Sequence, residues 1–112
     1  MEIINCVQGT EEWFNEKLGK FTASESQAIA ANGQGLKTLC LKLASQRLTG
    51  KRKESYLGAD MKRGMELEPD ARNLYELETD NTVVKVGFCK LDEYTGASPD
   101  GLIGEDGLIE IK

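Results

Sequence analysis

Residues 98–112, Ser98-Pro-Asp-Gly-Leu-Ile-Gly-Glu-Asp-Gly-Leu-Ile-Glu-Ile-Lys112, carry the reading of this chain. Gly104-Glu105-Asp106-Gly107 is turn chemistry between two β-prone runs, so the segment predicts a hairpin of strands at 95–103 and 107–112. Alternate residues of a strand share a face, which puts Glu110 and Lys112 together and Ile109 and Ile111 on the opposite side. The hairpin can bring Asp100 beside them. Two carboxylates on rigid strands suit Mg²⁺ or Mn²⁺, and a neighbouring lysine can orient a metal-bound water, an arrangement suited to phosphodiester hydrolysis. The plain alternative is that Pro99-Asp100-Gly101 is a turn and Glu110 and Lys112 an exposed charge alternation.

The 112 residues fit one small domain, expected to span 1–112. With 14 Lys plus Arg against 19 Asp plus Glu, the net charge is −5, which argues weakly against a sequence-independent phosphate binder. No apolar run approaches the ~18 residues of a membrane span. The absence of histidine excludes Ser-His-Asp and Cys-His catalysis and the HExxH zinc helix. Cys6, Cys40 and Cys89 lack paired spacing and read as reduced core thiols, and the amino terminus lacks a secretory signal. A cytoplasmic setting is expected, in a bacterial or phage-infected host cell.

Upstream of residue 80 the texture is helical. Thr10 can cap a helix over 10–18 that Gly19 stops, and Thr22 with Glu25 has capping-box spacing before Ser26–Ala31. Leu36, Leu39, Cys40, Leu43, Ala44 and Leu48 predict a core-facing amphipathic helix ending at Thr49-Gly50. After the basic residues Lys51, Arg52 and Lys53 comes another helical stretch, with Met61, Met65, Leu67, Leu74, Tyr75 and Leu77 as apolar positions and Pro69 opening a new turn. Residues 82–91 read as one strand. The expected fold class is α/β in α+β order, N-terminal helices followed by an antiparallel β-meander.

Pro99-Asp100, nine intervening residues and Glu110-Ile111-Lys112 resemble the PD-(D/E)XK nuclease motif. Together with Trp13 through Thr22-Ala23-Ser24 and the segment 63–72 (RGMELEPDAR), they are similar to the YqaJ-type viral recombinases, the lambda exonuclease family. The resemblance implies a restriction-endonuclease-like core and a Mg²⁺-dependent exonuclease of phage recombination type. Such enzymes degrade one strand of linear duplex DNA from its 5′ end and supply single strands to an annealing protein, and some members assemble as homo-oligomers. It implies that Asp100, Glu110, Glu68 and the Ile111 carbonyl hold metal and that Lys112 positions the attacking water. Ser24, Lys17 and Ser98 would lie near the DNA 5′ phosphate or active site.

From the residues alone, Glu68 belongs to an acidic helical segment that is ordinarily solvated, and Ser24 and Ser98 can be cap or turn residues. Lys17 stands where the family commonly has arginine; it keeps the charge without the bidentate fork, or lies along the helix beside Trp13, and Lys20 is another candidate. Trp13 reads as a core anchor. Family members continue past the motif lysine, so the resemblance implies that C-terminal elements are missing. Two other readings stand beside the nuclease: a catalytically incompetent relative that binds metal or DNA, and an acidic interaction or inhibitor protein.

Overall fold

The computed structural model describes residues 1–53 and 58–112. They form two compact units, one of Met1–Lys53 with Val86–Ser98, the other within Glu54–Lys85 and Pro99–Lys112.

The first unit holds β1 (Glu2–Ile4), α1 (Glu11–Lys17), β2 (Phe21–Thr22), a 3₁₀ turn at Ala23–Glu25, α2 (Ser26–Ala31), α3 (Gln34–Thr49), β4 (Phe88–Lys90) and β5 (Thr95–Ala97). Thr10 caps α1, its hydroxyl accepting from Trp13 N–H at 3.4 Å. Glu25 reaches back as its spacing predicts, its Oε2 accepting from Thr22 N–H at 2.6 Å. Asn32 and Gly50, both left-handed, end α2 and α3. The sheet order is β1-β4-β5-β2, antiparallel except for the parallel β2–β5 pair. Phe88 is the fully buried centre, with Leu39, Leu43, Val86 and Cys89 also buried. Gly96 makes room for it: a Cβ there would meet the Phe88 ring and the Cys89 carbonyl oxygen.

The second unit holds α4 (Ala59–Thr79), β3 (Val83–Val84), β6 (Gly101–Ile103) and β7 (Gly107–Ile109). These strands form an antiparallel sheet of order β3-β6-β7. The stripe of α4 that leaves solvent is Glu68, Ala71, Arg72, Tyr75 and Glu76, at three- and four-residue steps. It is tied to neighbouring backbone by polar groups, including Glu76 Oε2, which accepts from Val83 N–H at 3.1 Å.

Several expectations are corrected. The meander is two sheets, and two unforeseen N-terminal strands, β1 and β2, join the first. The strand expected at 82–91 divides into β3, which pairs with β6, and β4, which pairs with β1 and β5, so its two ends belong to different sheets. The strand at 95–103 divides at Pro99, which has no N–H for a ladder. The strand at 107–112 stops at Ile109. Pro69, expected to open a new turn, lies within the continuous helix α4 on its exposed face, where water can satisfy the carbonyl that loses its donor. Met61, Met65, Leu67, Leu74 and Leu77 are exposed, as are Cys40, Ala44 and Leu48 of α3, so Cys40 is no core thiol. Among the described residues no helix is long and apolar enough to cross a membrane.

Candidate active site

In the second unit, Asp100 precedes β6 and is held twice by the opposite arm of the hairpin. Its N–H donates to the Ile109 carbonyl at 3.1 Å, and its Oδ2 accepts from Ile111 N–H at 2.7 Å. The register that pairs Gly101 with Ile109 puts Ile111 opposite Pro99. The Asp100 carboxylate accepts the Ile111 N–H, and the two tethers straddle Glu110. Gly101 permits this approach, since a Cβ there would meet Val83 Cγ1 and lie 3.1 Å from Ile109 Cγ2. Glu110 and Lys112 are exposed, whereas Ile109 and Ile111 are half-buried. The side-chain alternation persists past the end of the strand.

On α4, Glu68 Oε1 and Arg72 Nη2 form an ion pair of 2.6 Å, with side chains 23% and 10% exposed. The same arginine nitrogen donates to the Asp100 main-chain oxygen at 3.3 Å. Glu68, Asp100 and Ile111 are thus connected, through Arg72 and through the Asp100 carboxylate. Glu110 and Lys112 are not drawn into this network. The carboxylates and carbonyls are hard oxygen donors, which fit Mg²⁺ or Mn²⁺ in kind. Among the described residues, however, no three acidic or cysteine side chains are grouped closely enough to hold a metal.

Lys17, Ser24 and Ser98 belong to the first unit. Lys17 Nζ lies 3.9 Å above the centroid of the Trp13 ring, and Trp13 Nε1–H donates to Ser98 Oγ at 2.9 Å and to the Gly87 carbonyl at 3.2 Å. Trp13 therefore joins Lys17 to Ser98. Burial, with Lys42 nearby, lowers the Lys17 pKa from the ordinary lysine value, while Glu25 opposes the shift. Ser24 stands apart from this pair in a cap network: its hydroxyl bonds Thr22 Oγ1 at 2.8 Å, and Thr22 Oγ1 donates to Glu25 Oε2 at 2.7 Å. Lys20 is committed to the end of α1, donating to the Glu16 carbonyl at 2.7 Å.

Sequence reasoning missed Arg72. The signal was present, because an acid followed four residues later by an arginine shares a helix face. Trp13 also does more than anchor a core.

A family model describing the YqaJ-like viral recombinase domain matches residues 12–112. The chain belongs to the YqaJ-like viral recombinase family. Two solved structures are similar to this YqaJ-like chain. One is the alkaline exonuclease LHK-Exo from Laribacter hongkongensis, with TM-score 0.78, 43% identity, and coverage of 90% of this chain and 52% of that one. The other is LHK-Exo in complex with dAMP, with TM-score 0.80, 45% identity and the same coverage, 90% and 52%. The YqaJ-like chain thus spans about half the length of these exonucleases. Among curated proteins none matches.

Proposed function

We propose that this chain carries the catalytic residues of a Mg²⁺-dependent DNA exonuclease of phage recombination type. It would hydrolyse phosphodiester bonds of linear duplex DNA in the 5′-to-3′ direction, with Mn²⁺ able to substitute for Mg²⁺. The observation that carries the reading is the pinning of the Asp100 carboxylate to Ile111 N–H at 2.7 Å, which fixes the proline-aspartate arm against the backbone on both sides of Glu110. That is the preorganisation a nuclease motif requires of its first carboxylate.

Asp100, Glu110, Glu68 and the Ile111 carbonyl would hold the cation. When bound, a divalent cation supplies Lewis acidity and a more acidic water. Lys112, two residues beyond Glu110 on the alternating face, would orient the attacking water and hold charge beside the phosphate. The water oxygen would bond to phosphorus as the bond from phosphorus to the departing sugar oxygen breaks, the water losing a proton to solvent and the departing oxygen taking one up. In the first unit, Lys17 and Ser98, joined by Trp13, offer an ammonium and a hydroxyl to a terminal phosphate, and Ser24 offers a second hydroxyl. The partners would be duplex ends, a single-strand annealing protein and further copies of the chain, in the cytoplasm.

The absence of a three-carboxylate group among the described residues favours a second reading, metal or DNA binding without cleavage. Release of nucleotides from linear 5′-phosphorylated duplex DNA with Mg²⁺ decides between them. Metal-dependent release that Asp100→Ala abolishes supports the exonuclease. Binding without release supports the second reading.

A further inference from the structure

Glu68 and Asp100 come from separate stretches of the second unit, and one side chain connects them. The Arg72 side chain is nine-tenths buried. One terminal nitrogen donates to Glu68 Oε1 at 2.6 Å and to the Asp100 main-chain oxygen at 3.3 Å, while its buried Nε has no hydrogen-bond partner among the described residues. A solvated acid and arginine four residues apart would support a helix modestly without desolvation. Burying the guanidinium with one N–H unsatisfied is a poor way to gain stability, since apolar packing commonly serves as well or better. What the arrangement does provide is a fixed relation between a carboxylate on α4 and the backbone that carries Asp100.

We infer that Arg72 is a positioning residue. It holds the Glu68 carboxylate in register with the Asp100 backbone and so sets the geometry in which a divalent cation meets the two acids. The inference rests on the reading of Glu68 and Asp100 as cation ligands. Its role is to act through Glu68 and the Asp100 backbone. Partners that orient metal ligands typically cost about 10- to 100-fold in metal affinity when removed.

The test is Mn²⁺ binding to the 112-residue chain, followed by the paramagnetic resonance of free Mn²⁺, with circular dichroism recording the fold of each variant. Arg72→Met is expected to weaken binding about tenfold with an unchanged dichroism spectrum. Arg72→Lys should recover part of the loss, because one nitrogen makes both contacts. In a Glu68→Gln background, Arg72→Met should add little, since both changes remove the same oriented carboxylate. If Arg72→Met unfolds, Arg72→Gln, whose stem is too short to bridge both oxygens, takes its place with the same expected loss. A folded Arg72 variant that binds Mn²⁺ as tightly as the unaltered chain, or losses that multiply independently in the double variant, overturns the inference. If the unaltered chain does not bind Mn²⁺, or Asp100→Ala leaves binding unchanged, the reading of the site falls and the positioning role falls with it.

Discussion

Asp100 has two duties that two substitutions can separate. As a carboxylate it is read as a cation ligand; as a hydrogen-bond acceptor it holds Ile111 N–H at 2.7 Å in a half-buried position. A hydrogen bond to an ionised group contributes about 1.5–3 kcal/mol, and partial exposure puts this one near the lower end. Asp100→Ala should therefore cost about 1.5 kcal/mol, plus the unpaired Ile111 N–H, and lower Tm by roughly 6 °C for a domain of this size. The Asp100 main-chain bond to Ile109 survives either substitution. Asp100→Asn keeps an oxygen that can accept from Ile111 N–H, so it should unfold within about 2 °C of the unaltered chain. It loses the charge a divalent cation requires, so nucleotide release should vanish as completely as with alanine. Thermal unfolding followed by circular dichroism gives the first quantity and a duplex digestion assay the second. Equal destabilisation by Ala and Asn would refute the structural half of the reasoning, and an Asn variant that still cuts would refute the catalytic half.

Packing and charge set three further outcomes. Phe88→Ala, emptying the centre of the first unit, should cost about 3–5 kcal/mol, a large part of the stability of a typical small domain, read from the urea midpoint. Gly101→Ala forces a methyl against Val83 and Ile109; a loss of about 1–3 kcal/mol and of nucleotide release is expected, measured by urea unfolding and digestion. Lys17 is held below the ordinary value of 10.5 by burial, so between its folded value and 10.5 the unfolded chain retains more protons, and stability should rise with pH across that window. Contact of its ammonium with a terminal phosphate should weaken over the same window. Lys17→Arg, charged throughout, should flatten both trends, checked by urea midpoints and 5′-phosphorylated duplex binding from about pH 8 to pH 10.5.

Local chemistry was the legible part of the sequence. Thr10, the Thr22 and Glu25 spacing and Thr49-Gly50 mark real helix ends because caps depend on a few adjacent residues. Strands β1 and β2, three and two residues long, are too short to show a period. The division of the sheets was partly written in Pro99, whose missing N–H stops a ladder, but a proline inside a β-rich run does not specify which strand β6 will pair with. The greatest reversal is on α4, where Met61, Met65, Leu67, Leu74 and Leu77 stand in solvent and Glu68, Arg72 and Glu76 turn away from it. Hydrophobic periodicity cannot find a face whose neighbours are reached by hydrogen bonds. At the candidate site, residue types and spacing named Asp100 and Glu110, while the tether from Asp100 to Ile111 and the bridge through Arg72 depend on register and burial.

The order in which the chain visits its two units bears on how it is made. Each unit is assembled from two separated stretches, with 86–98 returning to the first after the long helix of the second has been laid down. Strand β2, complete by residue 22, finds its parallel partner only at residues 95–96. During synthesis, α1, α2 and α3 emerge without the Phe88 strand that fills their unit. Until that strand arrives they present unfilled apolar surface, the condition in which nascent chains engage chaperones or aggregate. Pairings that span so much of the sequence also close slowly, so folding should be limited by this late return of the chain.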